Sequence, residues 1–347
     1  MELLNSGVDT LYWSARGEAA ELIVELAEYQ AGARRDHSAV AWREIDGYSL
    51  SVEPGGGHGY SVIVKCAEFS VYLTPYKSRP TFWVQLGSRF IHSIGIRPAI
   101  DASVGVVGQL SSSALREVGV SRIDPFADVG GWSFGNAEAD QIRTRVRDVE
   151  SHFIPRSGHL HSVMIGTNPL GLRIYDKRYQ IAVEGGFADQ FWNGYLGPVT
   201  RVEFEFWTKR LKAFGVRSFD EVLGSIGDLW RYGTSTFVEL RVPSERPEAS
   251  WPLSPAWDFV QRVAEWKFPT SGVIPLRAVM GDRITLLRAL YGYLTSFAAV
   301  EGMSSEREAL WRLEECLPEV ARDRDFVNEI ARKAARLPKA YRERQGA

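Results

Sequence analysis

Within VTRVEFEFW, residues 199–207, the six residues Arg201–Phe206 alternate charged and apolar side chains. A period of two is the mark of a strand with one buried and one polar face. Arg201, Glu203 and Glu205 fall on one face, and Val202, Phe204 and Phe206 on the other. Two further segments share the pattern, Arg122-Ile123-Asp124-Pro125-Phe126-Ala127-Asp128 and Arg173-Ile174-Tyr175-Asp176-Lys177. If the three strands are neighbours, one sheet face gathers carboxylates beside a tyrosine. Hard oxygen ligands of that kind suit Mg²⁺ or Mn²⁺. Such an ion could polarise a phosphodiester while the tyrosine attacks it. Nearby cations would stabilise both the phenolate and its phosphate target. Half-solvated antiparallel strands show the same alternation with no chemistry attached, so spacing alone leaves both readings open.

The remaining sequence supplies a frame for these strands. VDTLYWSA reads as a strand and AAELIVELAEYQ as a helix. Residues 47–95 read as a β-meander cut by PGGGHG and SRP. DQIRTRVRDVES is helical by composition, and LHSVMIG with LGLRIYDK flanks TNP as a hairpin. A helical stretch around FDEVLGSIGDLWR precedes a strand at TSTFVELRV. After Pro243 a Ser- and Pro-rich linker gives way to segments of helical period, with Ser304 and Ser305 as N-cap candidates for the last long one. The predicted architecture is α+β: an antiparallel twisted sheet carrying the active face over residues 1–245, with packed helices, and a helical region over 246–347.

Composition narrows the function classes. A formal charge of -2 argues against a uniformly basic nucleic-acid binder. Charge is uneven, however. Residues 143–178 hold seven Arg or Lys against three acids, and the C-terminal ARKAARLPKAYRERQGA holds six against one. Local patches decide binding when a ligand touches one face. Two cysteines without a spacing motif exclude a disulfide framework or zinc cluster. The N-terminus lacks the charged and apolar regions of a signal peptide, and no apolar run approaches a membrane span. A cytoplasmic protein is expected.

Five segments, in order, resemble the Rep_trans family of rolling-circle plasmid replication initiators and related relaxases of conjugative elements. They are GVDTLYWSARG, VSRIDPFADV, IGTNPLGLRIYDK, TRVEFEFW and VELRVPSERPEASWPLSPAW, spread over residues 7–257. The resemblance implies a protein that binds a duplex origin, nicks one strand and becomes linked through tyrosine to the 5′ phosphate, leaving a 3′ hydroxyl. It makes Tyr175 the nucleophile. Asp124 and Glu203 become candidate ligands of Mg²⁺ or Mn²⁺, with Asp128 and Glu205 behind them. Arg173, Lys177, Arg201 and Arg122 become phosphate contacts. Implied partners are origin DNA, single-stranded DNA at the nick, a host helicase and a second copy of the chain. Gln180 stands where the family often has Glu, which leaves Glu184 as a substitute. Pro125 removes a ladder donor, so its strand should lie on an edge or carry a bulge, which could move Asp128 off the expected face.

Two alternatives accompany this reading. A catalytically silent DNA-binding protein could use the same scaffold. His159-Leu160-His161 also matches the short histidine pattern of the HUH endonucleases, whose two histidines could share a metal. Tyr179, four residues after Tyr175, should point elsewhere if a helix begins at Lys177. The aromatic stretches WSFG and FWNGY could stack on unpaired bases, although core packing explains them equally.

Overall fold

The computed structural model describes residues 1–154, 158–245, 247–275, 283–321 and 325–334. The chain is α+β and divides into two compact units, one holding residues 1–212 and 216–271, the other 213–215 and the residues from 272 on. The first unit is built on thirteen strands: β1 (Glu2–Arg16), β2 (Val40–Ile45), β3 (Tyr48–Val52), β4 (Val62–Lys65), β5 (Phe69–Leu73), β6 (Phe82–Leu86), β7 (Arg116–Gly130), β8 (Ile142–Thr144), β9 (Val149–Phe153), β10 (Leu160–Ile165), β11 (Leu170–Asp176), β12 (Val199–Trp207) and β13 (Val238–Leu240). Eleven of them form one antiparallel sheet in the order β2-β3-β4-β5-β6-β1-β7-β12-β11-β10-β9, and β13 pairs with β8 separately.

The two faces of this sheet differ in chemistry. Val202, Phe204 and Phe206 of β12, Ile123 and Ala127 of β7, and Leu11 and Trp13 of β1 are fully buried. Helices cover that apolar face. Trp13 Nε1 donates to Ser103 Oγ in the helix Ile96–Leu110 (3.0 Å). The Phe204 ring lies 5.3 Å from Trp230 in the helix Ile226–Tyr232, and Trp230 Nε1 donates to Val260 O in the helix Pro255–Lys267. Trp13 and Trp230 each remove large apolar area from water and satisfy the indole N–H.

The sequence placed a boundary at 245/246. The helix Pro255–Lys267, with Trp257, Val260, Val263 and Ala264 buried, packs instead within the unit that carries the sheet, which runs on to Ser271. Its start is set by Ser254, whose hydroxyl accepts from Trp257 N (3.2 Å), with Pro255 in the first turn. In the second unit the described helices are Arg283–Val300, Glu306–Ala321 and Phe326–Ala334. Ser305 caps the second of these, accepting from Glu308 N (3.2 Å). Most of the basic C-terminal segment, from residue 335 on, lies outside the described residues.

Three local expectations differ from the structure. The segment expected to be helical at 140–151 forms β8 and β9, because Ile142, Thr144 and Val146 alternate with Arg143, Arg145 and Arg147, and both strands find partners. The end of the expected meander, Ser88–Ile94, is helical. Residues 233–237 continue the preceding helix as a π turn, so the expected strand at TSTFVELRV is confined to β13.

Candidate active site

The three alternating strands are neighbours, in the order β7-β12-β11. Register places Arg201 opposite both Asp128 and Tyr175, and Glu203 opposite both Phe126 and Arg173. Opposed residues share a face, so Arg122, Asp124, Asp128, Arg173, Tyr175, Arg201, Glu203 and Glu205 are brought onto one side of the sheet. Pro125 sits in the sheet interior rather than at an edge. The missing donor is accommodated by a bulge in the partner strand, where the register shifts between Val8↔Pro125 and Thr10↔Asp124. Asp128 keeps its face, and the extra residue of the bulge, Asp9, joins it.

Asp9 was not among the residues expected from the sequence, since regular alternation gives no sign of a one-residue slip. Its carboxylate accepts from Arg201 NH1 (2.7 Å) and Ser88 Oγ (3.1 Å), and His92 Nε2 lies 3.9 Å away. Arg201 also grips Asp128 with two nitrogens (2.6 and 2.9 Å), while Trp192 Nε1 donates to the same carboxylate (3.0 Å). The guanidinium lies 4.0 Å from the Phe126 ring centre. Arg201 is therefore buried and saturated. Trp192 of the FWNGY stretch is a core residue by the same geometry, 2% exposed.

Tyr175 ends β11 beside this network. Its hydroxyl donates to Glu203 Oε2 (2.9 Å), and Lys177 Nζ lies 3.5 Å from the phenol oxygen itself. Asp176 fixes the lysine by capping the helix Lys177–Glu184, accepting from Tyr179 N (3.0 Å). Lys177 Nζ also donates to Gln180 Oε1 (2.7 Å), and Gln180 passes a hydrogen bond on to Glu184 (2.9 Å). The amide that replaces the expected Glu thus still orients the lysine, without adding a charge. The β10–β11 hairpin turns at Gly166, whose φ is +68° and where a Cβ would come within 2.9 Å of Leu170 O, so a side chain has no room. The Asn168–Pro169 peptide in that turn is cis.

Burial first, and then the neighbouring Glu203 charge, push the Tyr175 phenol well above its ordinary pKa, against the pull of Arg201. Burial and the charge of Asp9 raise Glu203. Burial and Arg201 lower Lys177. Burial would raise Asp9, but His92, Arg201 and Lys177 together hold it well below the usual carboxylate range. The arrangement is a protonated phenol donating to a carboxylate made more basic by its surroundings, with a cation beside the phenol oxygen. Such a pair can generate a nucleophile.

A cleft of about 480 Å³ opens onto Tyr175. Arg173, Tyr179, Gln180, His161, His152 and Ser162 contribute to its walls. The helix does begin at Lys177, yet Tyr179 lines this cleft rather than pointing away. Tyr175 is 9% exposed, so only an edge of the phenol reaches solvent. The Arg173 side chain is 41% exposed, and its Nε is buried without a hydrogen-bond partner. His161 faces the cleft beside His152, whose ring centre is 6.4 Å away. His159 precedes β10, and its carbonyl accepts from Ile154 N; it does not contribute to the cleft walls.

The carboxylates expected to hold a divalent ion are already occupied by cations. Both oxygens of Asp124 accept from Arg122 (2.6 to 3.0 Å). Glu205 lies 3.1 Å from Arg122 and 3.0 Å from Arg173. Asp128 belongs to Arg201, and Glu203 accepts from Tyr175. Among the described residues no group of three or more His, Cys, Asp or Glu side chains could hold a metal ion. The donor set, arranged this way, does not fit Mg²⁺ or Mn²⁺, which need several open oxygen ligands. Arg122 is likewise committed, lying between the Tyr12 and Trp207 rings (4.9 and 4.6 Å).

No family model matches the chain, and no curated protein matches it. Among solved structures, it is similar to a rolling circle replication initiator protein from Geobacillus stearothermophilus. The two share 14% identity over 78% of this chain and 99% of that chain, with a TM-score of 0.46.

Proposed function

We propose that this chain is a tyrosine-type DNA strand transferase that nicks an origin and rejoins strands. In this role it initiates rolling-circle replication of a plasmid or mobile element, or acts as its relaxase. The observation that supports the reading most is the Tyr175 hydroxyl on Glu203 at 2.9 Å, with Lys177 at 3.5 Å, on the wall of an open cleft. Single-stranded DNA enters the cleft, and the exposed part of the Arg173 side chain meets the phosphate. Glu203 takes the phenol proton as Tyr175 Oη attacks phosphorus. The P–O3′ bond breaks, leaving a 5′ phosphotyrosine and a 3′ hydroxyl. Lys177 stabilises charge on the phenol oxygen. Arg201 and Arg122 act from beneath, fixing the carboxylates instead of touching the phosphate. The broken P–O3′ ester is replaced by the ester to Tyr175, so religation runs the same steps in reverse. The reading brings with it duplex origin DNA, a host helicase for unwinding, a second copy of the chain and a cytoplasmic setting.

The test is incubation of the purified protein and Tyr175→Phe with supercoiled DNA carrying the replicon's own origin, with Mn²⁺ or Mg²⁺ supplied. A denaturing gel then reads the protein–DNA adduct. The expected result is an adduct from the wild type and none from the variant. A folded wild type that binds the origin without forming an adduct would instead be a silent DNA-binding protein.

A further inference from the structure

Strand transfer as proposed above leaves one proton unassigned. An alkoxide is a poor leaving group, and the departing 3′-oxygen needs a donor unless charge is neutralised otherwise. We propose that His161 is the acid that protonates this oxygen, an inference that rests on the strand-transfer reading of the same cleft.

The geometry that supports it is a second register slip. β9 and β10 lose register between Leu160 and Ser162. His161 and Ser162, adjacent in sequence, therefore both line the cleft, which regular alternation would forbid. Ser162 is directly opposite Tyr175 across the β10–β11 ladder. His161 is one residue further along. In-line displacement puts the attacking and leaving oxygens on opposite sides of phosphorus. The acid must then stand on the other side of the phosphate from the phenol, and His161 lines the same cleft on the neighbouring strand.

The other groups at the cleft are spoken for. Lys177 is beside the nucleophile and bound to Gln180. Arginine does not release its proton. Glu184 accepts from Gln180. His152 is on the outer strand, 47% exposed, 3.9 Å from Glu150. His161 is partly buried, and its ring is held by Tyr179 at 4.8 Å and by His152 at 6.4 Å. An imidazole can donate and recover a proton near neutral pH. The balance closes: the Tyr175 proton passes to Glu203, the O–P bond forms as P–O3′ breaks, and the His161 proton ends on the 3′ hydroxyl. Religation returns both.

The test changes the leaving group. The nicked phosphate is first mapped by sequencing the strand that carries the Tyr175 adduct. A synthetic single strand of that sequence is then made with the ordinary 3′-oxygen and with sulfur in its place, since a thiolate departs without an acid. His161→Ala and His161→Gln are each expected to slow adduct formation on the oxygen substrate about a hundredfold. On the sulfur substrate both should react at nearly the wild-type rate, which also shows that they are folded. Equal slowing on both substrates, or no slowing on oxygen, overturns the proposal. So does a sulfur-rescued defect in Tyr179→Phe, which would make that phenol the acid. A wild type that yields no tyrosine adduct removes the strand-transfer reading itself, and this proposal with it.

Discussion

Two arginine–carboxylate clusters share one face of the sheet, and they differ in their balance. Around Arg122, two cations, Arg122 and Arg173, meet two acids, Asp124 and Glu205. Around Arg201, two cations, Arg201 and Lys177, meet three acids, Asp9, Asp128 and Glu203. In the first set each acid has a guanidinium partner, and Arg122 lies between the Tyr12 and Trp207 rings. The second leaves one carboxylate unmatched, and that carboxylate holds the phenol. Buried ions normally come in matched sets because an unpaired one is costly. Burial first, and then the charge of Asp9, raise Glu203 and give the phenol a basic acceptor. One cluster therefore serves as a structural pin, and its neighbour is poised for proton transfer.

The comparison breaks most readily at Glu203. Glu203→Gln retains an acceptor for the Tyr175 hydroxyl but removes the base. Adduct formation on origin DNA is expected to fall by about 10²–10⁴-fold with the melting temperature little changed. A near-normal rate would mean that the two clusters do not differ in kind. The next largest effects are on stability. Asp128→Ala and Asp124→Ala each remove the two-nitrogen carboxylate partner of a buried guanidinium, leaving it one acid, at a cost of about 3–5 kcal/mol in urea unfolding. Adduct formation by the folded fraction should separate them, surviving in Asp124→Ala and failing in Asp128→Ala, where Arg201 loses its anchor. Arg173→Ala sharpens the boundary between clusters. It should weaken DNA binding while leaving the single-turnover rate at saturating DNA within about tenfold.

Much of this was legible in the sequence, for identifiable reasons. Period-two alternation in β7, β11 and β12 fixed which side chains share a face, because nothing but a strand satisfies it. Tyr175, Glu203 and Lys177 were named on that basis and from the resemblance, and they come together. The pairing of the acids was not legible. Alternation says that Arg122, Asp124 and Glu205 are neighbours, but not that the guanidinium consumes the carboxylates. Asp9 was missed, and His161 was named only with His159 in the HUH pattern, because the places of both depend on slips in register, which carry no compositional mark beyond Pro125. The 140–151 segment was misread for a related reason. Its arginines and acids favour helix by composition, and β8 exists only through β13, a partner far away in sequence, while β9 depends on the neighbouring β10.

The smallest effect expected is also the most diagnostic of the unbalanced cluster. Glu203 must be ionised to accept the phenol proton, so adduct formation falls as pH drops through its pKa. Burial is the main cause that raises this pKa, and the Asp9 charge comes next. Asp9 itself is held far below the usual range and stays ionised wherever the acid limb is measured. Asp9→Asn removes that charge and also frees Arg201 NH1, and both changes favour ionised Glu203. The acid limb of the rate profile should therefore move to lower pH, with the plateau rate reduced as the proton acceptor becomes weaker. The group paired with Asp9 through the bulge, Arg201, keeps its two bonds to Asp128, so the fold should tolerate the change. In the balanced cluster, Glu205→Gln should leave the limb in place, since Arg122 and Arg173 separate it from the phenol. If the limb stays put in Asp9→Asn, or moves to higher pH, the third carboxylate is not what makes the site around Arg201 different.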